Sequence, residues 1–373
     1  MLRRSLLKAG FATAAIAGTQ SLYGNSMMES EMRLEEAEAI LNRAVESGLV
    51  KSATMHVSSQ QGKAERFFGA AADAEAMFLL GSISKPITVT ALMALFDQGA
   101  FALDDPLYKY LPKFRGEGRD AVTLKHLLSH TSGLPDQLPG NDALRRSHAP
   151  LTEFIERTHE VPLHFAPGKK YEYSSMGILL AAHVAELLSG KDIRELTEDA
   201  VFKPLDMRRS AQGLGRFHLQ DMQPMQTEYA APEAGGGDPN AKEWDWNSEY
   251  WRKLGAPWGG THASAGDIAK FLSEFLFAQG RAVKPKTAEL MTTNQNGAGL
   301  TPRGLGMAVG SSIAVPGCSP ATFGHTGSTG TIAWADPATK WICVILTSLP
   351  ARAVTPHPRD HAALAVAKAM SKS

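Results

Sequence analysis

The apolar positions of this chain change their period several times, and each change marks an element. In "MESEMRLEEAEAILNRAVESG", Met32, Ala37, Ile40, Leu41 and Val45 recur at helical spacing and Gly48 closes the segment, which predicts an amphipathic helix. "SATMHVSSQQGKAERFFGAA" predicts two strands joined through Gln61-Gly62. From residue 83 to 98, Ile87, Ala91 and Leu95 fall one turn apart and Gly99 stops the run, so this stretch predicts a helix. The middle of the chain is helical and rich in loops. "TLKHLLSHTSGLPD" predicts a short helix that runs into a turn at Ser132-Gly133, and "MGILLAAHVAELLSG" a strongly apolar helix ended by Gly190. "ASAGDIAKFLSEFLFAQG" predicts a capped amphipathic helix. Between residues 229 and 257 the period lapses into glycines 235–237 and three close tryptophans, Trp244, Trp246 and Trp251. That mixture predicts an ordered loop lining a pocket. Strands return in "GLGMAVGSSIAV", "TGTIAWADP" and "KWICVILTS", with Asp336-Pro337 turning between the last two, and "HPRDHAALAVAKAM" closes the chain as a helix.

Strands at both ends with helices between them predict an α+β fold. One antiparallel sheet, built from both chain ends, is flanked by helices and carries an inserted helical lobe. The expected division is residues 1–24 as an export signal and 27–371 as the domain. The sheet lobe covers about 29–80 plus 300–371, and the helical lobe about 81–299.

Composition narrows the partners. Lysine plus arginine equals aspartate plus glutamate at 38 each in 373 residues, so no global field draws the chain to nucleic acid. "MLRRSLLKAGFATAAIAGTQ" has a basic start and an apolar stretch too short to span a bilayer. Arg3-Arg4, the leucines, Lys8 and the small apolar residues follow the order of a twin-arginine export signal. A periplasmic or secreted bacterial protein without a membrane span is the expectation. Cys318 and Cys343 are too sparse for a disulfide framework; two buried thiols are expected, with a single bridge as the alternative.

The chemistry gathers at three segments. In "FLLGSISKPIT", Ser82 follows a glycine at the start of a helix, near free backbone N–H groups. Lys85, three residues on, shares its face and becomes a base if burial strips its charge. The same residues also fit an N-cap serine with an exposed lysine, and the segment alone supports both. In "PGKKYEYSSMGILL", Tyr173 precedes a buried helix; its phenol needs a nearby cation to act as a base. In "FGHTGSTGTIAWADP", His325-Thr326-Gly327 opens a strand whose small residues let a substrate approach, with the N–H of Ser328 free to face a cleft. The pairs His126/His130 and His357/His361 have metal-ligand spacing, but no acid or cysteine completes either, so structural roles are expected.

The order Ser-x-x-Lys, Tyr-x-Ser, His-Thr-Gly resembles the penicillin-recognising serine hydrolases. The tyrosine of the second motif points to their class C β-lactamase branch, which includes D-alanyl-D-alanine carboxypeptidases, D-aminopeptidases and esterases. "LKHLLSHTSGLPD" and "GGTHASAGDIAKFL" look like family segments in family order. The resemblance implies a β-lactamase-like fold and a hydrolase with no metal or cofactor. It implies Ser82 as nucleophile, Lys85 and Tyr173 sharing general-base work, and the N–H groups of Ser82 and Ser328 as oxyanion hole. His325 takes the place of the third-motif lysine and Ser175 that of the second-motif asparagine. Ser175, Thr326 and Gly327 would bind substrate. The two replacements fit esterase and peptidase members better than a β-lactamase. The implied partner is a small-molecule or peptide-like substrate, and oligomeric state is left open. A true β-lactamase or D,D-peptidase is the alternative, as is a non-catalytic member that only binds a ligand.

Overall fold

The computed structural model describes residues 34–313 and 315–371. The export signal and the expected start of the first helix lie outside the described residues. The helix that is described runs over Glu35–Glu46 (α1) and is followed by the hairpin Ser52–Ser59 (β1) and Gly62–Gly69 (β2). After the short strand Phe78–Leu79 (β3) comes Ser84–Asp97 (α2), then Leu151–Glu160 (α3) and Ser175–Ser189 (α4). Ser210–Gln212 (β4) and Thr261–Ala263 (β5) precede Ala265–Leu276 (α5). The chain ends with Ala308–Val309 (β6), Phe323–Gly327 (β7), Thr331–Asp336 (β8), Trp341–Thr347 (β9) and Pro358–Met370 (α6).

The expected sheet from both chain ends is present. Six strands run in the order β2-β1-β9-β8-β7-β6, and every neighbouring pair is antiparallel. Its two faces follow the period of two. Ala53, Met55, Val57, Ile332, Trp334, Cys343 and Ile345 pack under α1 and α6. Their neighbours in sequence, Ala333, Ala335, Ile342, Val344 and Leu346, join the core that contains α5. Burying each large side chain here stabilises the fold by roughly 1.5–3 kcal/mol.

Three details depart from the sequence reading. The strand expected across "GLGMAVGSSIAV" shrinks to β6, because the chain turns left-handed at Gly306 and enters a 3₁₀ turn at Gly310–Ser312. A second sheet, β3-β5-β4, was not foreseen; strands of two or three residues carry no readable period. Helix α5 falls within the segment assigned to the helical lobe, yet it packs on the main sheet. The sheet is therefore covered on both faces.

The tryptophan loop is ordered by the turns Pro232–Ala234 and Ala241–Glu243 and the helix Glu249–Leu254, with Trp244, Trp246 and Trp251 buried. Both cysteines are free thiols. Burial pushes both up, Cys318 to about 12, so neither is a ready thiolate at neutral pH. No helix among the described residues is long and apolar enough to cross a membrane.

Candidate active site

Ser82 lies in a single 3₁₀ turn, Gly81–Ile83, between β3 and α2. Neighbouring elements clamp this turn on both sides. Leu80 donates its N–H to the Thr261 carbonyl at 2.9 Å and accepts from the Thr331 hydroxyl at 2.7 Å. Gly81 holds φ +56°, and a Cβ there would meet Thr329 Oγ1 at 2.9 Å and the Ser328 nitrogen at 3.1 Å. A side chain at 81 would therefore push Ser328 away. The Ser328 N–H, next to Ser82, donates to no backbone carbonyl among the described residues. Its turn is held by Arg359 from α6, which donates to the carbonyls of Gly327 and Thr331.

The capped-helix alternative for Ser82 fails. Ser82 makes no cap hydrogen bond, and Lys85 is 1% exposed rather than in solvent. Lys85 Nζ lies 3.0 Å from Ser82 Oγ and donates to the Trp258 carbonyl at 3.0 Å. That carbonyl is fixed from α2 itself: Thr88 Oγ1 donates to Pro257, and Ser84 Oγ accepts from Thr261 N–H. Burial lowers the Lys85 pKa to about 7, with Asp136 opposing the shift and Arg303 adding to it. A neutral amine in this place donates to Trp258 and has its lone pair left for the Ser82 hydroxyl.

Tyr173 packs across from this pair, with Lys85 Nζ 4.7 Å from its ring centroid. Burial holds its phenol well above the ordinary value, so the hydroxyl keeps its proton. Ser82 lies near enough to favour the phenolate slightly, but Tyr173 Oη makes no hydrogen bond of standard geometry among the described residues. The ring is set by His130, whose imidazole lies 4.6 Å away between centroids and whose Nδ1 accepts from Ser174 N–H at 3.1 Å. His126 accepts from Thr123 N–H at the start of the helix Leu124–Leu128, and His357 caps α6. These histidines have the structural roles expected of them.

His325 is buried on β7. Its Nδ1 sits 2.7 Å from the Thr326 carbonyl, which can only accept, so Nδ1 carries the proton and Nε2 the lone pair. Burial, with Arg303 and Lys85 adding to it, holds His325 well below its ordinary pKa and hence neutral. The permanent cation on the Tyr173–His325 side is Arg303, buried with its guanidinium 5.3 Å from the Tyr173 ring and its Nε donating to Tyr171 at 3.1 Å.

Two cavities flank Ser82. The first, about 300 Å³, is bordered by Ser82, Tyr171, Tyr173, Arg303, His325, Thr326 and Ser328. The second, about 190 Å³, also touches Ser82, Tyr173 and Ser328, and is walled by Trp246, Trp251 and Trp258. Ser175 borders the second, but its hydroxyl donates to Asp136 at 2.6 Å and its N–H to the same oxygen at 3.0 Å. Gly327 borders neither: a Cβ there would stand 2.2 Å from the Leu80 carbonyl oxygen. Its smallness lets β7 approach the nucleophile turn, not a substrate.

The beta-lactamase family model matches residues 40–368. The chain belongs to the beta-lactamase family. Esterase EstB of Burkholderia gladioli is 30% identical over 302 residues, which cover 74% of this chain and 75% of the esterase. A putative D-alanyl-D-alanine carboxypeptidase of Escherichia coli K12 is 27% identical over 297 residues, 70% of this chain and 66% of that protein. Among solved structures, EstCE1, a hydrolase with promiscuous acyltransferase activity, superposes with a TM-score of 0.74 at 20% identity, over 91% of this chain and 99% of its own. The D-amino acid amidase of Ochrobactrum anthropi SV3 gives 0.73 at 21% identity, over 89% and 98%. This beta-lactamase family member is thus a serine hydrolase with the α+β fold read from its sequence.

Sequence reasoning missed Arg303, Asp136, the Trp258 carbonyl and Arg359. Arg303 stands in "TPRGLG", where no spacing sets it apart from a surface arginine. A main-chain carbonyl such as that of Trp258 leaves no trace in side-chain identity.

Proposed function

We propose that this chain is an exported serine hydrolase that cleaves an ester or amide through an acyl-enzyme on Ser82. The observation that carries the reading is the buried Lys85, with a pKa of about 7, at 3.0 Å from Ser82 Oγ. Neutral Lys85 takes the hydroxyl proton as Oγ attacks the substrate carbonyl carbon. The carbonyl oxygen gains the negative charge and is held by the N–H groups of Ser82 and Ser328. The C–O or C–N bond then breaks. The leaving atom takes the Tyr173 hydroxyl proton, and Tyr173 recovers one from the Lys85 ammonium. Water repeats the sequence on the acyl-enzyme and frees Ser82. The first-reading partnership is thereby divided: Lys85 is the base, and Tyr173, held protonated, is the acid.

Tyr173 borders both cavities; we assign the leaving group to the one that holds His325 and Arg303, and the acyl group to the tryptophan-walled one. Thr326 borders the leaving-group side, and His325 offers a neutral Nε2 acceptor there. A fluorophosphonate probe tests the reading. Covalent labelling that disappears in Ser82→Ala is the expected result; a folded wild-type protein that takes no label would overturn it and leave a ligand-binding member.

Arg303 favours a second substrate class within the same reading. A permanent cation on the leaving-group side suits a peptide whose leaving amine carries a carboxylate. A panel of short-chain esters, D-amino-acid peptides and nitrocefin separates these classes; rapid nitrocefin turnover would instead support a β-lactamase. Export is part of the proposal and rests on the Arg3-Arg4 segment. Replacing both arginines by lysine should leave the full-length protein in the cytoplasm; unchanged export would reject the twin-arginine route.

A further inference from the structure

Arg145 has no part in the chemistry above. It sits on the short helix Asn141–Arg146, 4% exposed, with its guanidinium carbon 3.9 Å from the centroid of the Trp251 ring. Burial lowers its pKa to about 10, which leaves it charged at neutral pH. A buried charge ordinarily has a counter-charge or a full set of hydrogen bonds. Here Nε and Nη1 are both buried and have no hydrogen-bond partner among the described residues. The stack on Trp251 replaces part of the lost hydration but supplies no acceptor.

Arg145 borders the 190 Å³ cavity beside Ser82. Trp251 Nε1 and Gln137 Oε1, from two more of its lining side chains, are likewise buried and unpartnered. These atoms are closed off from water, but their side chains line one cavity, and a ligand there completes them as the side chains turn towards it. Gln137 Oε1 lacks a donor, but arginine and tryptophan offer only N–H groups, so three of the four unpaired atoms need an acceptor, and the fixed positive charge selects an anionic one.

We infer that this cavity takes short acyl groups ending in a carboxylate, which Arg145 reads. The inference rests on the acyl-enzyme reading and on its assignment of the acyl side. The substrate class is half-esters or half-amides of small dicarboxylic acids, whose carboxylate ends close to the ester carbon. Two acids border the same cavity, Asp136 and Glu233. Asp136 accepts from both the N–H and the hydroxyl of Ser175. Both carboxylates are exposed, so water and salt screen them. Tyr250 and Glu233 oppose the burial of the Arg145 charge, but no carboxylate among the described residues forms an ion pair with it, so its guanidinium still lacks a direct anionic partner.

The test uses the full-length enzyme and 4-methylumbelliferyl esters, with uncatalysed hydrolysis subtracted. The acyl groups are pentanoate, glutaramate (the same length with a neutral amide end), and the half-esters of succinate, glutarate and adipate. The best half-ester should exceed pentanoate in kcat/KM by about ten- to a hundredfold, the range of a hydrogen bond to a charged group. The glutaramate ester should fall between. In Arg145→Met the half-ester to pentanoate ratio should drop close to one; in Arg145→Lys it should drop only in part. A wild-type enzyme that takes label at Ser82 and hydrolyses pentanoate without favouring any half-ester would overturn this inference alone, whether or not the variants fold. A ratio unchanged in folded Arg145→Met would overturn it too. Absence of both label and turnover would instead overturn the serine-hydrolase reading.

Discussion

The two cavities beside Ser82 both hold a buried arginine against aromatic rings, yet the surroundings of the two cations differ. Arg303 lies over Tyr171 and Tyr173, and its charge reaches Lys85, His130 and His325. There it adds to burial in pushing an amine and two imidazoles towards their neutral forms. Arg145 faces Trp251, which has no proton to gain or lose at ordinary pH, and its charge reaches Tyr250 and Glu233 rather than Lys85, His130 or His325. A permanent cation tunes proton chemistry only where titratable groups share its dry surroundings. Where its charge reaches none of the groups that move protons in the reaction, the same residue is an empty binding element. Lys85 shows the third outcome. Being a lysine, it can surrender its proton when buried, which an arginine cannot do.

The largest expected effect tests the division of labour on the Arg303 side. Lys85→Met should lower turnover of p-nitrophenyl acetate by about 10²–10⁴, the usual weight of a general base. Tyr173→Phe should be selective. A p-nitrophenolate leaves without needing a proton, whereas an alkoxide or an amine needs one. Values of kcat/KM, which report acylation and not the deacylation that all substrates share, should therefore fall much further for ethyl esters and amides than for the nitrophenyl ester. Equal losses across leaving groups would show that Tyr173 is not the acid.

The sheet, the long helices and the order of the three motifs were legible because each depends on local periodicity or on residues a few positions apart. Ser82 and Lys85 are three residues apart, and their contact follows from that spacing. Arg303 and Arg145 were illegible for the opposite reason. Their meaning comes from burial and from what faces them across the fold, Tyr173 in one case and Trp251 in the other. Gly327 was read as room for a substrate, but the atom it makes room for is the Leu80 carbonyl oxygen, 247 positions away in the chain. Burial also explains why the serine segment alone supported two readings: sequence could not say whether Lys85 reached water.

A second, smaller effect sharpens the view that Arg303 acts through proton affinity. If neutral Lys85 is the base, kcat/KM for a neutral ester should rise with pH through about 7. Asp136 favours the ammonium form and Arg303 opposes it. Asp136→Asn should therefore move this acid limb to lower pH, and Arg303→Met should move it to higher pH. Each shift should be on the order of one unit. Arg145→Met, on the inert side, should leave the limb in place. A pH–rate profile of the three variants checks all of this, and a limb that ignores both Asp136 and Arg303 does not belong to Lys85.

The last effect concerns folding rather than turnover, and its sign follows from the same shift. The Lys85 pKa is about 7 folded, against 10.5 for an ordinary lysine. Below pH 7 both states hold the proton, and the cost of burying the charge is present in full. Between about 7 and 10.5 the unfolded chain keeps a proton that the folded protein has released, so stability rises with pH by up to about 1.4 kcal/mol per unit. Above that window the penalty is gone. Methionine at position 85 has no proton to release. The difference in unfolding free energy, Lys85→Met minus wild type, should be most positive near pH 6 and shrink steadily towards pH 10. Urea titrations at several pH values measure it. A difference that stays flat would mean that Lys85 is not neutralised by burial, and the comparison between a lysine that yields and arginines that cannot would fall with it.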